Sequence, residues 1–191
     1  LSNLKIKSFE KSIDVAIKLG IGFGVIGNGI MVLNICQLAS AKWILAFLIV
    51  QTIIAVPFLI KELTCLPGKI VHWYNKFLQI NLLLRFTFVF VIGLYSLRAL
   101  LPPTGFDALM YHLSTIDLYL KHGGFFDIYF NPQSDFPMLT EMNFMIGLVF
   151  KNDIICRQIA LILFFITLIV LYTVCRFIKL NNTGTLLSLI L

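Results

Sequence analysis

Long apolar runs alternate with short polar segments along this chain of 191 residues. A membrane-spanning helix needs roughly 20 mostly apolar residues, and several runs approach or exceed that length. The pattern predicts spanning helices, the second of which Pro57 kinks or ends, and the start of one more near the C-terminus. The predicted segments are Ile17–Leu38, Trp43–Ile60, Phe77–Leu101, Ile154–Ile178 and Leu186–Leu191.

The polar segments between these runs differ in charge. Ser2–Lys18 and Lys61–Lys76 are rich in lysine, whereas Pro102–Met142 holds five of the nine acidic residues. Within this acidic segment the pattern predicts a helix over Thr104–Lys121 and a short apolar helix over Met138–Phe150. The short helix would cover only about 20 Å of a hydrocarbon core about 30 Å thick.

Composition supports a membrane location. Hydrophobic residues make up 59% of the chain and charged residues 13%, with a mean hydropathy of +0.95, against about 45–50% and about 25% in soluble domains. The net charge of +6 comes from lysine and arginine placed between apolar runs. We therefore assign that charge to membrane topology and lipid headgroups, and exclude nucleic acid as the partner. The four cysteines lie far apart without a CxxC pair, so we expect buried, inert thiols.

Lysine and arginine mark the cytoplasmic side of a membrane protein. Both lysine-rich segments fit the cytoplasm, and the acidic segment then falls outside. Lys151 and Arg157, which follow the short helix, fall inside. Arg176 and Lys179 then fall outside, against the rule.

These patterns predict an all-α fold: a polytopic transmembrane helical bundle with an extracytoplasmic loop of short interfacial helices between the third and fourth spans. The predicted division is a transmembrane region of about three spans over residues 1–101, a loop over 102–137 and a transmembrane region over 138–191. Because the chain starts at Leu1 and stops inside a fresh apolar run, we expect it to be a fragment of a longer polytopic protein and to be inactive alone.

A formal GxGxxG match lies in the first apolar run, at Gly22, Gly24 and Gly27. A dinucleotide-binding turn needs a strand before this string and an acidic residue about 20 positions after it, and neither is present. Gly20 and Gly24 also form a small-xxx-small pair, which lets membrane helices approach closely. We therefore interpret these glycines as helix-packing residues.

The acidic segment holds the candidate chemistry. Asp107, Tyr111 and Ser114 share one face of the predicted helix by their spacing of four and seven positions. His112 follows Asp107 by five positions and should point elsewhere unless the helix starts late. Asp107 also follows Thr104 by three positions, as in a capping box, so Asp107 is either a helix cap or a functional group.

Glu141 is the second notable acid. It lies one turn into the short apolar helix, where an ionisable residue is costly and by default suggests function. The alternative is an interfacial carboxylate that is hydrated or paired with a cation. Both interpretations stay open from the sequence.

The first extracytoplasmic loop of C-type (GT-C) membrane glycosyltransferases resembles this segment in three strings. They are PPTGFDALMYHL, YLKHGG and NPQSDFPMLTEM, in that order. The likeness is to prokaryotic members grouped with the protein O-mannosyltransferases and aminoarabinose transferases, and it covers about Leu100–Ile178. Residues 1–99 contribute nothing to the resemblance beyond the presence of membrane-spanning segments.

The resemblance implies a transferase that moves a sugar from a polyprenyl-phosphate donor to a lipid, glycan or protein acceptor. It also implies a place in the bacterial inner (plasma) membrane, with the catalytic loop on the extracytoplasmic side. In that family an acid of this loop is the proposed general base, a role that carries over to Asp107. Tyr111, His112 and Glu141 match recurring positions and are assigned to substrate binding. The family often has a second acid beside the first, where this chain has Ala108.

No cofactor is assigned, and a divalent metal stays open because one aspartate with scattered histidines is not a metal signature. The leaving lipid phosphate needs positive charge, which Arg98, Lys121, His112, His122 or a metal would supply. A transporter or flippase for a lipid-linked or small polar substrate is the alternative function. Its acids would lie along the spans, whereas here they cluster in the loop. A purely structural membrane subunit is the third class.

Overall fold

The computed structural model describes residues 2–135 and 138–190, and the regular elements assigned in them are all helical. The all-α prediction is confirmed. A π-helical turn precedes the fourth helix and a short 3₁₀ turn precedes the fifth. The helices are α1 Ser2–Ile35, α2 Ala41–Leu78, α3 Leu82–Arg98, α4 Leu113–His122, α5 Leu139–Val149, α6 Asp153–Phe177 and α7 Asn182–Ile190, with the π turn at Ala108–His112 and the 3₁₀ turn at Pro132–Asp135.

Three helical segments of the described chain are long and apolar enough to cross a membrane: Ile17–Ile35, Ala41–Ile60 and Asp153–Phe177. The protein is therefore of the membrane-embedded type, as the apolar runs predicted. The expected third span is shorter than predicted, because α3 has 17 residues, or about 26 Å at 1.5 Å per residue, and it is not among the three. The short apolar helix forms as α5.

The second predicted span does not end at Ile60. Instead, α2 continues past Pro57 and through the lysine-rich connector to Leu78. Apolar residues recur in the connector at helical spacing, so this segment forms an amphipathic helix where a polar loop was expected. These residues are Leu63, Leu66, Ile70 and Phe77.

The chain divides into two compact units. The first, called here the loop unit, comprises Gly20–Ile53 and Ala99–Ile162 and contains a hydrophobic core. Burying one large apolar side chain contributes about 1.5–3 kcal/mol, so this core fixes α4 and α5 against the ends of α1 and α2 that belong to the unit. The fully buried apolar members with large side chains are Ile30, Ile44, Ile116, Met142 and Met145.

The glycines of α1 pack as predicted only in part. The GxGxxG string lies inside a continuous helix, and a Cβ atom added at Gly20 or Gly24 would meet no atom of the described chain within 4 Å. Gly27 makes the close approach instead. A Cβ there would lie 2.8 Å from the carbonyl oxygen of Leu139 and from Nδ2 of Asn143, so Gly27 lets α5 pack directly on α1.

The second unit is the remainder of the chain and contains α3, α7 and the C-terminal part of α6. Tyr95 of α3 stacks on Phe164 of α6 with ring centroids 5.0 Å apart, whereas Phe88 of α3 lines a cavity with Tyr172 of α6. Residues late in α3 thus lie beside residues early in α6, and residues early in α3 lie beside residues late in α6. The two helices therefore run antiparallel.

The antiparallel pair disagrees with the predicted topology, in which both helices cross from inside to outside. That topology required α5 to cross the membrane. With 11 residues, α5 is only about 16 Å long, about half of a hydrocarbon core about 30 Å thick. A chain that does not cross at α5 enters α6 from the side on which α3 ends.

The expectation that all thiols are buried is only partly correct. Cys156 and Cys175 are buried, but Cys36 is exposed in the turn that joins α1 to α2. The side chain of Cys65 lies outside the described residues. Cys36 is therefore a natural position for a thiol label.

Candidate functional site

The acidic segment begins with a widened helical turn directly after Asp107. The N–H of Leu113 donates to the carbonyl of Ala108, five positions earlier. This turn holds more residues than the 3.6 of an α-helix, so a residue five positions on comes round toward the side of the first. His112 therefore lies nearer the face of Asp107 than α-helical spacing predicted. Turns of this type occur frequently at functional sites.

The carboxylate of Asp107 is exposed and makes no capping hydrogen bond to the helix that follows. In the described parts of the chain, the ion pairs involve other carboxylates. The capping role considered for Asp107 is therefore not the one it has. Its place at the start of a helix still favours the negative charge, and the carboxylate is open to a ligand.

His112 and Glu141 meet, although they are 29 positions apart. Nδ1 of His112 lies 2.8 Å from Oε1 of Glu141, and the two side chains are 34% and 15% exposed. Glu141 also lies in the first turn of α5, where the helix dipole favours a carboxylate. Glu141 is paired with His112, and this contact is compatible with both interpretations left open from the sequence.

The pairing decides which ring nitrogen of His112 is left to bind a ligand or take part in a reaction. With its proton on Nδ1, the imidazole donates to Glu141 and keeps a lone pair on Nε2. Nε2 can then accept a hydrogen bond or a proton. When the ring is protonated, the carboxylate stabilises its positive charge. The pair is thus able to hold an oriented base or an oriented cation.

Tyr111 lies directly against this pair. Its ring centroid is 4.0 Å from that of His112, with the planes tilted by 38°. Ser114, expected on the same face, donates its hydroxyl hydrogen to the carbonyl of Met110, a common local bond for serine inside a helix. Tyr111 therefore belongs to the candidate site, whereas the hydroxyl of Ser114 is used in a hydrogen bond to its own helix backbone.

Packing against α1 positions the helix that carries Glu141. Nδ2 of the fully buried Asn34 donates to the carbonyl of Ile30 at 2.9 Å and lies 3.6 Å from the sulfur atoms of Met142 and Met145. Both methionines are fully buried. Asn34 of α1 thus holds the methionine side chains that neighbour Glu141 on α5. This packing fixes the Glu141 carboxylate relative to α4.

Hydrogen bonds also tie the segment after α4 to the turn between α1 and α2. Gly123 ends α4 with a φ of 92°, and its carbonyl accepts from the N–H of Ala39 at 2.8 Å. The N–H of Phe125 donates to the carbonyl of Asn34 at 3.2 Å. Nε2 of Gln37 donates to the carbonyl of Phe125 at 2.7 Å. The acidic segment and this turn therefore lie on the same side of the loop unit.

Lys121 and His122, also considered for a substrate phosphate, have protein partners. Lys121 pairs with Asp117 at 2.5 Å, and the ring of His122 lies 4.4 Å from that of Phe126. The first is an exposed pair along one helix, which is weak in water. Both side chains are exposed and can change partner at low energetic cost.

The sequence did not single out two buried amides of the loop unit. Oδ1 of Asn34 and Oδ1 of Asn143 are buried without a hydrogen-bond partner in the described chain. Buried polar atoms are usually paired, so both amides mark polar points in an otherwise apolar interface between α1 and α5. A lone asparagine in an apolar run is the signal that points to such positions.

No group of three or more histidine, cysteine, aspartate or glutamate side chains in the described segments is arranged to hold a metal ion. His112 and Glu141 form a pair only. Comparison of the chain with protein-family models, curated proteins and solved structures finds no match. The functional conclusion therefore rests on the residues and their geometry.

Proposed function

We propose that this chain forms all or part of a membrane glycosyltransferase. The enzyme moves a sugar from a polyprenyl-phosphate donor to an extracytoplasmic lipid, glycan or protein acceptor. The observation that carries the proposal is the pair of His112 and Glu141, held at 2.8 Å beside a π-helical turn that starts after the exposed Asp107. A free carboxylate and an oriented imidazole at one helix start are the groups that this transfer needs.

In the proposed reaction Asp107 is the general base. The acceptor oxygen or nitrogen attacks the anomeric carbon, the carbon–oxygen bond to the lipid phosphate breaks, and the acceptor proton passes to the carboxylate. The polyprenyl phosphate leaves with the electron pair of that bond and needs positive charge but no proton. His112, with Glu141 behind it, binds the phosphate or a sugar hydroxyl through Nε2, and Tyr111 lines the same position.

Exposed aromatic side chains support a place for this site at the membrane surface. Phe106, Tyr129 and Phe130 are 74%, 93% and 78% exposed, and aromatic residues are enriched at the level of lipid headgroups. A lipid-linked donor presents its sugar at that level. The lysine-rich ends of α1 and α2 favour the cytoplasm, so we assign the acidic segment to the extracytoplasmic face of a bacterial inner membrane.

The test compares Asp107→Asn with Asp127→Asn, an exposed carboxylate of the same segment. The full-length protein is assayed in vesicles with radiolabelled polyprenyl-phosphate hexoses and pentoses as donors. Loss of a general base lowers turnover about 10²–10⁴-fold, so we expect that loss in Asp107→Asn. Turnover in Asp127→Asn should stay within about threefold of wild type, because Asp127 is not the proposed general base.

Equal turnover in a folded Asp107→Asn protein would remove Asp107 from the mechanism. Movement of the intact lipid-linked sugar across the bilayer, with no transfer to any acceptor, would replace the transferase by the flippase alternative. Folding of each variant is checked by circular dichroism and by elution as a single species in detergent.

A further inference from the structure

A cavity of about 210 Å³ lies between α3, α6 and α7 in the second unit. Its walls are Phe88 and Ile92 of α3, Leu189 of α7 and a stripe on α6 that includes Phe165 and Tyr172. An apolar cavity of about 150 Å³ is large enough to take up benzene. This one therefore has room for a segment of a hydrocarbon chain.

An arginine lies on the same face of α3 as this cavity. Arg85 precedes Phe88 by three positions and Ile92 by seven, and residues at that spacing share one side of a helix. Its Nε atom is buried and has no hydrogen-bond partner in the described chain. Long helical side chains point back toward the N-terminus, so the guanidinium lies beyond the Phe88 end of the cavity.

The stretches of α3, α6 and α7 that line the cavity carry no counter-charge in their sequences. Residues 77–98 and 163–190 contain four cations and no aspartate or glutamate. In the antiparallel register of α3 and α6, Arg85 lies toward the end of α6 that carries Arg176, with Lys179 just beyond. One end of the cavity is thus cationic, and the rest of it is apolar. No carboxylate within these stretches complements this end, and an anion from another molecule can do so.

The direction of α6 places this cationic end in one leaflet. If α5 does not cross the membrane, α6 returns to the side of the lysine-rich segments. Arg85, Arg176 and Lys179 then lie on the cytoplasmic side, and the exception to the positive-inside rule disappears. The cytoplasmic leaflet is also the one in which anionic phospholipids attract basic residues.

We propose that the cavity between α3, α6 and α7 binds an anionic phospholipid of the cytoplasmic leaflet. One acyl chain lies along Phe88 and Ile92, and the phosphate pairs with Arg85. The charge rule assigns the phosphate end of this cavity to the cytoplasmic leaflet, whereas the proposed transfer reaction is assigned to the extracytoplasmic side. Its ligand is therefore a bilayer lipid and not the sugar donor.

The experiment uses the protein in nanodiscs that contain equal amounts of phosphatidylglycerol and phosphatidylcholine. Lipids retained after release into detergent are counted by native mass spectrometry. One basic residue near a membrane surface corresponds to about a fivefold preference for an anionic lipid. We expect that preference in wild type, its loss in Arg85→Gln and its retention in Arg85→Lys. Arg98→Gln, at the opposite end of α3, should retain it and serves as the matched control.

A second variant tests the cavity without changing charge. Ile92→Trp fills the space and should lower phosphatidylglycerol retention to the level of Arg85→Gln, so the proposal stays testable if one variant fails to fold. Equal retention of the two lipids by wild type, or equal effects of Arg85→Gln and Arg98→Gln, would overturn it. Displacement of phosphatidylglycerol by equimolar undecaprenyl phosphate would overturn it as well, because the site would then select an isoprenyl phosphate.

The leaflet is checked by thiol labelling of intact cells. A membrane-impermeant maleimide should label the natural Cys36 from outside, because the turn that carries it is bonded to the acidic segment. A cysteine introduced as Lys179→Cys, with Cys36→Ser, should react only after the cells are opened. Labelling of position 179 from outside would contradict the cytoplasmic assignment and the proposal with it.

Discussion

The loop unit and the second unit hold their helices together by different means. In the loop unit, large side chains such as Met142 are fully buried, and the buried side chain of Asn131 donates to the hydroxyl oxygen of Thr115 at 2.9 Å. In the second unit α3 has no buried residue. Its contacts are aromatic, as between Tyr95 and Phe164. Protein packing defines the first region, whereas the second presents most of its helix surface to an apolar surrounding.

This difference explains where a defined chemical site can form. A catalytic pair must be held to within about 0.5 Å by locked neighbours, and the packed core beside His112 and Glu141 provides such neighbours. The second unit has a cavity and an arginine, Arg85, whose Nε atom has no hydrogen-bond partner in the described chain, and these features suit a mobile lipid. Each prediction below tests one side of this contrast.

The largest effect is expected from emptying the core of the loop unit. Met142→Ala should lower the free energy of unfolding by about 2–5 kcal/mol, because a fully buried methionine leaves a cavity when it is truncated. Met110→Ala, at a side chain that is 56% exposed, should change it by less than about 0.5 kcal/mol. Reversible denaturation in micelles measures both. Equal values for the two variants would show that α5 is not packed as described.

The next effect concerns the approach of α1 to α5. Gly27→Ala should destabilise the protein by about 1–3 kcal/mol, because the new methyl group meets the backbone of Leu139 and forces the helices apart. Gly24→Ala meets nothing in the described chain and should be neutral or stabilising by up to about 1 kcal/mol. Thermal unfolding of both variants in one detergent is the measurement, and the reverse order would contradict the assignment of Gly27.

The smallest effect concerns the site pair. A double-mutant cycle with His112→Gln and Glu141→Gln should give a coupling energy of about 1 kcal/mol, as for a partly buried hydrogen bond to a charged group. The same cycle on Lys121 and Asp117, an exposed pair at i and i+4, should give about 0.3–0.5 kcal/mol. Denaturation of the six variants and wild type measures both couplings. A coupling near zero for the first pair would mean that the site is not preorganised.

The apolar runs of the sequence predicted both α5 and α6 to within one residue at each end. They also predicted the membrane character, because a run of about 20 apolar residues stays helical whatever surrounds it. The same reasoning ended α2 too early, because proline and lysine outweighed the regular spacing of leucine and isoleucine beyond them. Rules based on single residues do not tell whether a proline and several lysines end a helix or the helical spacing of apolar residues continues it.

By itself, the sequence determined the helices, their apolar character and the set of candidate residues in the acidic segment. The tertiary structure decided that His112 meets Glu141, that Gly27 forms the close contact, and that α3 and α6 run in opposite directions. The physical reason is range. Helix formation depends on neighbours within a few positions, whereas a widened turn and a contact across 29 positions depend on how α4 and α5 pack against the end of α1.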